Sequence, residues 1–369
     1  MRKSPPFTSI VQNLPATVPF VAPEALERRR GRPLKVRLGA NESAFGISPL
    51  ARQAMLEALE HLAWYNDPES YELRAELARI HRVSMENIIV GSGIDDLLGL
   101  VAHTFVAPGE TAVTSLGAYP TFNYFVATCG GQLSTVPYQE DRNDLTALID
   151  RAMTTGARLL YLANPDNPSG SWHTSGDVED AIAQLPPETL LLLDEAYAEF
   201  APADAIPEVD PNDPQVIRLY TFSKVHGMAG ARIGYAITAS ETVAAFNKIR
   251  VQFGVNRVAQ AGALASLKDH EFVSSVVAAV AAGREEYRTL ARKLGLASLP
   301  SATNFVSIDM GSFERARATM DALLAHDIFV RMPGAPPLNR CIRVTVGLPA
   351  ERAFFAEALT EVLATGPHD

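Results

Sequence analysis

Short strand-like runs recur along this chain at residues 88–90, 111–115, 132–136, 159–163, 190–193, 216–221 and 233–237, with helical patterns between several of them. Alternation of this kind specifies a three-layer α/β fold, a mostly parallel sheet with helices on both faces. Open sheets of that type bind ligands at the carboxyl ends of their strands. Helices are expected at 48–63, 70–81 and 95–105; Ser48 followed by Pro49 gives the first a cap with proline in its first turn. Beyond Glu241 the chain turns strongly helical, with a long amphipathic stretch at 270–294. The tail then alternates strand and helix at 304–309, 313–326, 328–331, 342–346 and 351–363, which describes a second, smaller α+β unit. Residues 1–40 are proline-rich and aperiodic, so an irregular arm is expected there.

The 369 residues suffice for two domains. A net charge of −10 argues against nucleic acid as a partner. The basic run Arg28-Arg29-Arg30-Gly31-Arg32 reads as a solvated connector. Two cysteines, Cys129 and Cys341, are too few for a disulfide framework, and their apolar surroundings suit buried free thiols in a reducing compartment. Residues 1–23 contain no apolar core of signal-peptide length, and no run approaches a membrane span. The expectation is a cytoplasmic protein with no membrane partner and no metal.

The chemistry concentrates where apolar runs end. Lys224 sits in Tyr220-Thr221-Phe222-Ser223-Lys224-Val225-His226-Gly227-Met228-Ala229-Gly230-Ala231-Arg232, after a strand and before a glycine-bearing loop, so its amine can enter a strand-end cleft. An amine so placed can form an imine with an aldehyde cofactor and later move a proton. Asp194 ends Leu190-Leu191-Leu192-Leu193; a carboxylate there needs a partner, and a helix cap, an ion pair or a protonated pyridine would each serve. Gly93 and Ile94 open the helix after 88–90, where backbone amides bind anions. Thr221 and Ser223 add hydroxyls and Arg232 a forked cation. Asn167 lies in Asn164-Pro165-Asp166-Asn167-Pro168-Ser169-Gly170, and Tyr197 in Asp194-Glu195-Ala196-Tyr197; taken alone these read as a proline-rich turn and a core aromatic. Tyr119, beside Pro120, is equally a surface aromatic. Arg343 lies inside the apolar run Cys341-Ile342-Arg343-Val344-Thr345-Val346, where a bidentate carboxylate is the natural partner. Arg331, alone, reads as a structural ion pair. Together the set provides an amine, an acid for a pyridinium, hydrogen bonds for a phenolate, and cations and hydroxyls for a phosphate. Those are the needs of pyridoxal 5'-phosphate. A dinucleotide fingerprint starting at Gly91 fails, because Asp96 stands where its third glycine belongs. Ser223 and Lys224 are adjacent, not spaced as in Ser-x-x-Lys hydrolases.

From about residue 38 to 347 the chain resembles the fold-type I, class I/II pyridoxal-phosphate aminotransferases, and among them the histidinol-phosphate aminotransferases. Leu38-Gly39-Ala40-Asn41-Glu42-Ser43 is similar to the family's Leu-Asn-x-Asn-Glu-Asn, Trp64-Tyr65-Asn66-Asp67-Pro68 to its Tyr-Pro-Asp-Pro, and Glu86-Asn87-Ile88-Ile89-Val90-Gly91-Ser92-Gly93 with Asp95-Asp96 to Glu-Asn-Ile-x-Val-Gly-x-Gly-x-Asp-Glu. The resemblance implies that Lys224 holds the cofactor, Asp194 its ring nitrogen, and Asn167 and Tyr197 its 3'-oxygen. It also implies that Tyr119 stacks on the ring, and that Arg331 and Arg343 bind the acidic and phosphate groups of the substrate. Tyr65 matches a tyrosine that reaches the neighbouring subunit's cofactor phosphate, which implies a homodimer with shared active sites. The small domain is then discontinuous, 1–40 plus 275–369, around a large domain of 41–274.

The departures concern the substrate. Where the family carries Tyr-x-Pro-Gly in its N-terminal arm, this chain reads Val18-Pro19-Phe20-Val21-Ala22-Pro23, and a proline common near 250–256 is absent. Losing a hydroxyl that reads a polar substrate relaxes discrimination. The expected reaction is transamination of histidinol phosphate or a related or aromatic donor to 2-oxoglutarate. The alternative is a decarboxylase of the threonine-phosphate type on the same scaffold. A DNA-binding regulator with a pyridoxal-phosphate domain would need a helix-turn-helix extension that this sequence lacks.

Overall fold

The computed structural model describes residues 5–15 and 21–365. After a two-residue strand β1 (Val36–Arg37), the chain lays down β2 (Ile88–Gly91), β3 (Thr111–Ser115), β4 (Gln132–Val136), β5 (Leu159–Ala163), β6 (Leu190–Asp194), β7 (Val216–Thr221) and β8 (Gly234–Ile237). Strands β2 to β8 form one seven-stranded sheet in the order β2-β8-β7-β6-β5-β3-β4. Only β8 runs against its neighbours; the remaining pairings are parallel.

The leucine run at the centre shows why the sheet takes this form. Successive side chains of a strand point to opposite faces. Leu190 and Leu192 pack with residues of the helices Ile94–Phe105, Pro120–Thr128 and Ser240–Asn247. Leu191 and Leu193 pack with Leu145–Thr155 and Ser175–Ala183. Both faces are covered, so the strand has no polar alternation. Burying each leucine contributes roughly 1.5–3 kcal/mol. The connecting helices begin at defined caps: the Asp144 side chain accepts from the Ala147 N–H, and Thr174 and Asp177 form a reciprocal capping box.

The tail adds β9 (Ala297–Ser298), β10 (Phe305–Asp309), β11 (Ile328–Phe329) and β12 (Cys341–Thr345). Strand β10 lies between β12 and β9, antiparallel to both. Strand β11 pairs in parallel with β1. One apolar cluster gathers Val36 and Leu38 with Val280 and Tyr287 of the helix His270–Lys293, Phe305 and Ile342 of the sheet, and Phe355 of the helix Pro349–Thr365.

The described residues within 1–40 are more regular than the prolines imply. They contain the helices Ser9–Asn13 and Pro23–Arg30 as well as β1. Pro23 occupies the first turn, where a missing N–H is harmless, and Gly31 closes the helix at φ 69°. The basic run is therefore the end of a helix and not a connector: Arg28 and Arg29 are exposed, while Arg30 and Arg32 both pair with Asp327, Arg32 through Nε at 2.9 Å. Cys341 is buried, whereas Cys129, just past the helix Pro120–Thr128, is half-buried. The helix expected over 48–63 ends at Leu59, followed by turns.

Candidate active site

Strand β3 leads to β4 at the sheet edge, while β5 leads inward to β6, so a crevice opens where the two directions part. A cavity of about 740 Å³ lies there, walled by the ends of β5, β6 and β7 and by the loop after β3. Register places Ala163, the last residue of β5, beside Asp194, the last of β6. Lys224 follows the end of β7.

Asp194 is buried, and both of its carboxylate oxygens are held. The Tyr161 hydroxyl donates to Oδ2 at 2.7 Å and the Ala196 N–H to Oδ1 at 3.0 Å. Burial outweighs these two donors and lifts the carboxyl to about 6. The Lys224 amine donates to the Asn41 carbonyl at 3.1 Å and lies 5.6 Å from the centre of the Tyr197 ring. Burial, reinforced by the Arg343 guanidinium, brings it down to about 8. Burial likewise pushes the Tyr197 phenol up to about 12. Its oxygen accepts from Asn41 Nδ2 at 3.0 Å.

A corner of helix amides, hydroxyls and a guanidinium lies beside these groups. Gly93 precedes the helix Ile94–Phe105 with φ 86°, a value open to glycine. A β-carbon at Gly93 would stand 2.6 Å from Arg232 Nη2. Arg232 also reaches Asp95 at 3.3 Å. The Thr221 hydroxyl donates to Ser223 Oγ at 2.9 Å, and both side chains are buried. A β-carbon at Gly234 would stand 2.7 Å from the Tyr220 carbonyl oxygen and 3.2 Å from the Ile94 nitrogen, so glycine lets the start of β8 lie close against this helix terminus.

Arg331 and Arg343 form the opposite lining. Arg343 is desolvated to about 10, donates to Asn167 Oδ1 and to the Gly39 carbonyl at 3.2 Å, and leaves its buried Nε without a protein partner. Arg331 donates to the Val21 carbonyl at 3.0 Å. Val18, Pro19 and Phe20, where the substrate-reading hydroxyl is absent, lie outside the described residues.

The cavity thus brings together Ile94, Tyr119, Asn167, Asp194, Tyr197 and Lys224, with Thr221, Ser223, Arg232, Arg331 and Arg343. Tyr119 caps the helix Pro120–Thr128 and donates its hydroxyl to Asp95 at 2.8 Å. Tyr65 is apart from the cavity lining: it is 80 % exposed, with its ring 4.8 Å from that of Phe253. Two site residues escape sequence reasoning. Tyr161 lies within an apolar strand and reads as core. Asn41 stands in a recognised motif, but nothing local signals that it would touch both Tyr197 and Lys224. Among the described residues no group of three His, Cys, Asp or Glu side chains could hold a metal, and no helix is long and apolar enough to cross a membrane.

A sequence profile of the class I and II aminotransferases matches residues 33–359. The chain belongs to that family. The aminotransferase is 35% identical over 336 residues to histidinol-phosphate aminotransferase 2 of Pseudomonas fluorescens, covering 90% of each chain. It is 33% identical over 357 residues to histidinol-phosphate aminotransferase 2 of Carboxydothermus hydrogenoformans, covering 96% of this chain and 98% of the other. Its fold matches the crystal structure of histidinol-phosphate aminotransferase from Sinorhizobium meliloti in complex with pyridoxal-5'-phosphate, with a TM-score of 0.94, 48% identity, and 97% and 98% of the two chains covered. Pyridoxal 5'-phosphate is the cofactor of this family, and the donor set fits it: an amine, a buried carboxylate, paired phenol and amide groups, and a corner of hydroxyls and helix amides too tight beside Arg232 for a β-carbon.

Proposed function

We propose that this aminotransferase moves the amino group of histidinol phosphate, or of a related or aromatic donor, to 2-oxoglutarate. The observation that carries this reading is the pair Arg331 and Arg343, two desolvated cations lining the cavity that contains the Lys224 amine. Such a pair suits donors and acceptors that bear a phosphate or carboxylate. The identity to the Sinorhizobium enzyme supports the donor.

Each residue then has a task. Lys224 supplies the amine that would hold the cofactor, and the same amine would move the proton at the donor's α-carbon. An amine brought to about 8 is suited to accept that proton near neutrality. Asp194 holds the protonated ring nitrogen. When bound, the cofactor supplies an electron sink for the charge left as the Cα–H bond breaks. Asn167 and Tyr197 donate toward the 3'-oxygen, and Tyr119 covers the ring. The amides at Gly93 and Ile94, the hydroxyls of Thr221 and Ser223, the Arg232 guanidinium and the partner subunit's Tyr65 hold the phosphate. Arg343, with Arg331, anchors the substrate anion.

The same proposal includes a cytoplasmic homodimer with shared sites, a large domain of 41–274 and a small domain of 1–40 plus 275–369. The solved L-threonine-O-3-phosphate decarboxylase of Porphyromonas gingivalis, 20% identical with a TM-score of 0.76, shares the fold alone. A donor panel of histidinol phosphate, phenylalanine, tyrosine and phosphothreonine, with 2-oxoglutarate as acceptor, tests the reading. Conversion to the pyridoxamine form with histidinol phosphate is expected. Carbon dioxide release from phosphothreonine without amino transfer would replace transamination with decarboxylation.

A further inference from the structure

Asn41 is a buried asparagine in the left-handed region, φ 55°, at the point where the two strand systems meet. All of its polar groups are engaged. Its N–H donates to Thr345 Oγ1 at 3.0 Å, and the Thr345 hydroxyl lies 3.2 Å from its Oδ1. Its Nδ2 lies 3.0 Å from the Tyr197 oxygen. Its carbonyl accepts from Lys224 Nζ at 3.1 Å and from Asn304 Nδ2 at 3.0 Å. One residue therefore touches the Lys224 amine, the Tyr197 phenol, Thr345 at the end of β12 and Asn304 just before β10.

A threonine hydroxyl has a single hydrogen. Thr345 Oγ1 accepts from the Asn41 N–H and gives that hydrogen to the Asn41 amide oxygen. The amide nitrogen then faces Tyr197. Tyr197 accepts there, which leaves its own hydrogen to be donated elsewhere. The other elements around the phenol offer the Phe305 ring, edge-on at 5.6 Å, and the charged groups Lys224, Arg343, Asp194 and Asp166. The cavity is the remaining direction.

We propose that Asn41 is a positioning residue that, oriented by Thr345, turns the Tyr197 hydroxyl into an obligate donor toward the cavity while its carbonyl receives the Lys224 amine whenever that amine is not bonded to the cofactor. The proposal rests on the reading that Tyr197 donates to the cofactor's 3'-oxygen. It goes further in naming what fixes the direction of that bond. The same carbonyl gives the freed amine a fixed station beside the reacting carbon, so the amine need not be recaptured from solvent.

The test is Asn41→Gly, which keeps the left-handed backbone, the N–H and the carbonyl and removes only the amide. The readout is the pH at which the visible absorbance of the bound cofactor titrates. A donor to the 3'-oxygen stabilises the form in which that oxygen is not sharing the neighbouring proton, so weakening the donor raises the titration pH. A charge-assisted hydrogen bond corresponds to a shift of about one pH unit. Asn41→Gly is expected to move the titration upward by a substantial part of that unit. In a Tyr197→Phe background the same substitution is expected to move it no further, because the effect passes through the phenol. Thr345→Val, which removes the hydroxyl that orients the amide, is expected to shift it in the same direction by less, and it serves as the read-out if Asn41→Gly does not fold. An unmoved titration in both variants, or an equal shift with and without the Tyr197 hydroxyl, overturns the proposal. If Tyr197→Phe alone leaves the titration unmoved, the underlying assignment of Tyr197 fails instead.

Discussion

Arg331 and Arg343 stand opposite one another across an antiparallel bridge: the Arg343 N–H donates to the Arg331 carbonyl at 2.5 Å, and the Arg331 N–H returns to the Arg343 carbonyl at 3.3 Å. Directly opposed residues of an antiparallel pair project to the same face, where like charges repel. Burial lowers the proton affinity of both guanidiniums. A bound anion would relieve this arrangement, which supports the proposed role of the pair in holding the anionic group of the substrate.

Arg343→Ala is therefore expected to raise KM for an anionic donor by about ten- to a hundredfold, the worth of a charge-assisted bidentate contact, with cofactor retention unchanged. Steady-state kinetics beside cofactor absorbance after dialysis decide the point. Equal loss of both would assign Arg343 a structural role, through its contacts with Asn167 and Gly39.

Lys224→Met should abolish the visible absorbance of lysine-bound cofactor; a retained band would put the cofactor lysine elsewhere. It should also change how the cofactor-free enzyme responds to pH. The folded amine titrates near 8 and the unfolded one near its ordinary value of 10.5. Below about 8 both states are protonated, and the folded state bears the full cost of a buried charge. As pH rises from about 8 to 10.5 the folded state sheds its proton first, so wild-type stability rises relative to the variant. Melting curves of the two apoenzymes should converge across that window, and a pH-independent gap would count against a buried, desolvated amine.

Tyr161→Phe removes the hydroxyl that meets Asp194 Oδ2 but keeps the ring that stacks on Phe122 at 4.9 Å. The lost donor served the ionised carboxylate, so the Asp194 pKa should rise from about 6. Apoenzyme affinity for pyridoxal phosphate is expected to weaken as pH falls through that value, with the midpoint about one unit higher in the variant. An unchanged midpoint in cofactor titrations would show that Tyr161 merely fills space.

Gly93→Ala tests the anion corner. The new β-carbon would crowd Arg232 Nη2 at 2.6 Å and would sit at φ 86°. The backbone strain is present with and without cofactor, so the loss of affinity comes from the displaced guanidinium, roughly tenfold for one charge-assisted contact. Measured dissociation constants equal to wild type would move the phosphate elsewhere.

What the sequence made legible divides along physical lines. The central strands β5 and β6 stand out because, covered on both faces, they are almost wholly apolar, and Asp194 stands out as the carboxylate that ends such a run. Pro23 misleads because proline both breaks helices and begins them, and only the Gly31 turn shows which applies. The Arg30–Asp327 contact joins residues far apart in the chain, a pairing no local pattern records. Asn41 and Tyr161 are invisible for a related reason. Each acts through directed hydrogen bonds to distant residues, and a hydrogen bond leaves no periodicity behind.

Tyr65 supplies the last prediction. Its ring is 80 % exposed against Phe253, beside a surface that also exposes Leu62, Trp64 and Val251. A large aromatic left in solvent together with such neighbours marks an interaction surface. If Tyr65 reaches the neighbouring subunit's phosphate corner, each active site draws residues from two chains. Lys224→Ala and Tyr65→Ala should then be weak or inactive alone, yet regain activity when unfolded and refolded together, because a mixed dimer has one site with both residues intact. Sedimentation should find a dimer in each case. Absence of rescue in a confirmed mixed dimer would confine each site to one chain, and Tyr65 would be left as an ordinary interface aromatic.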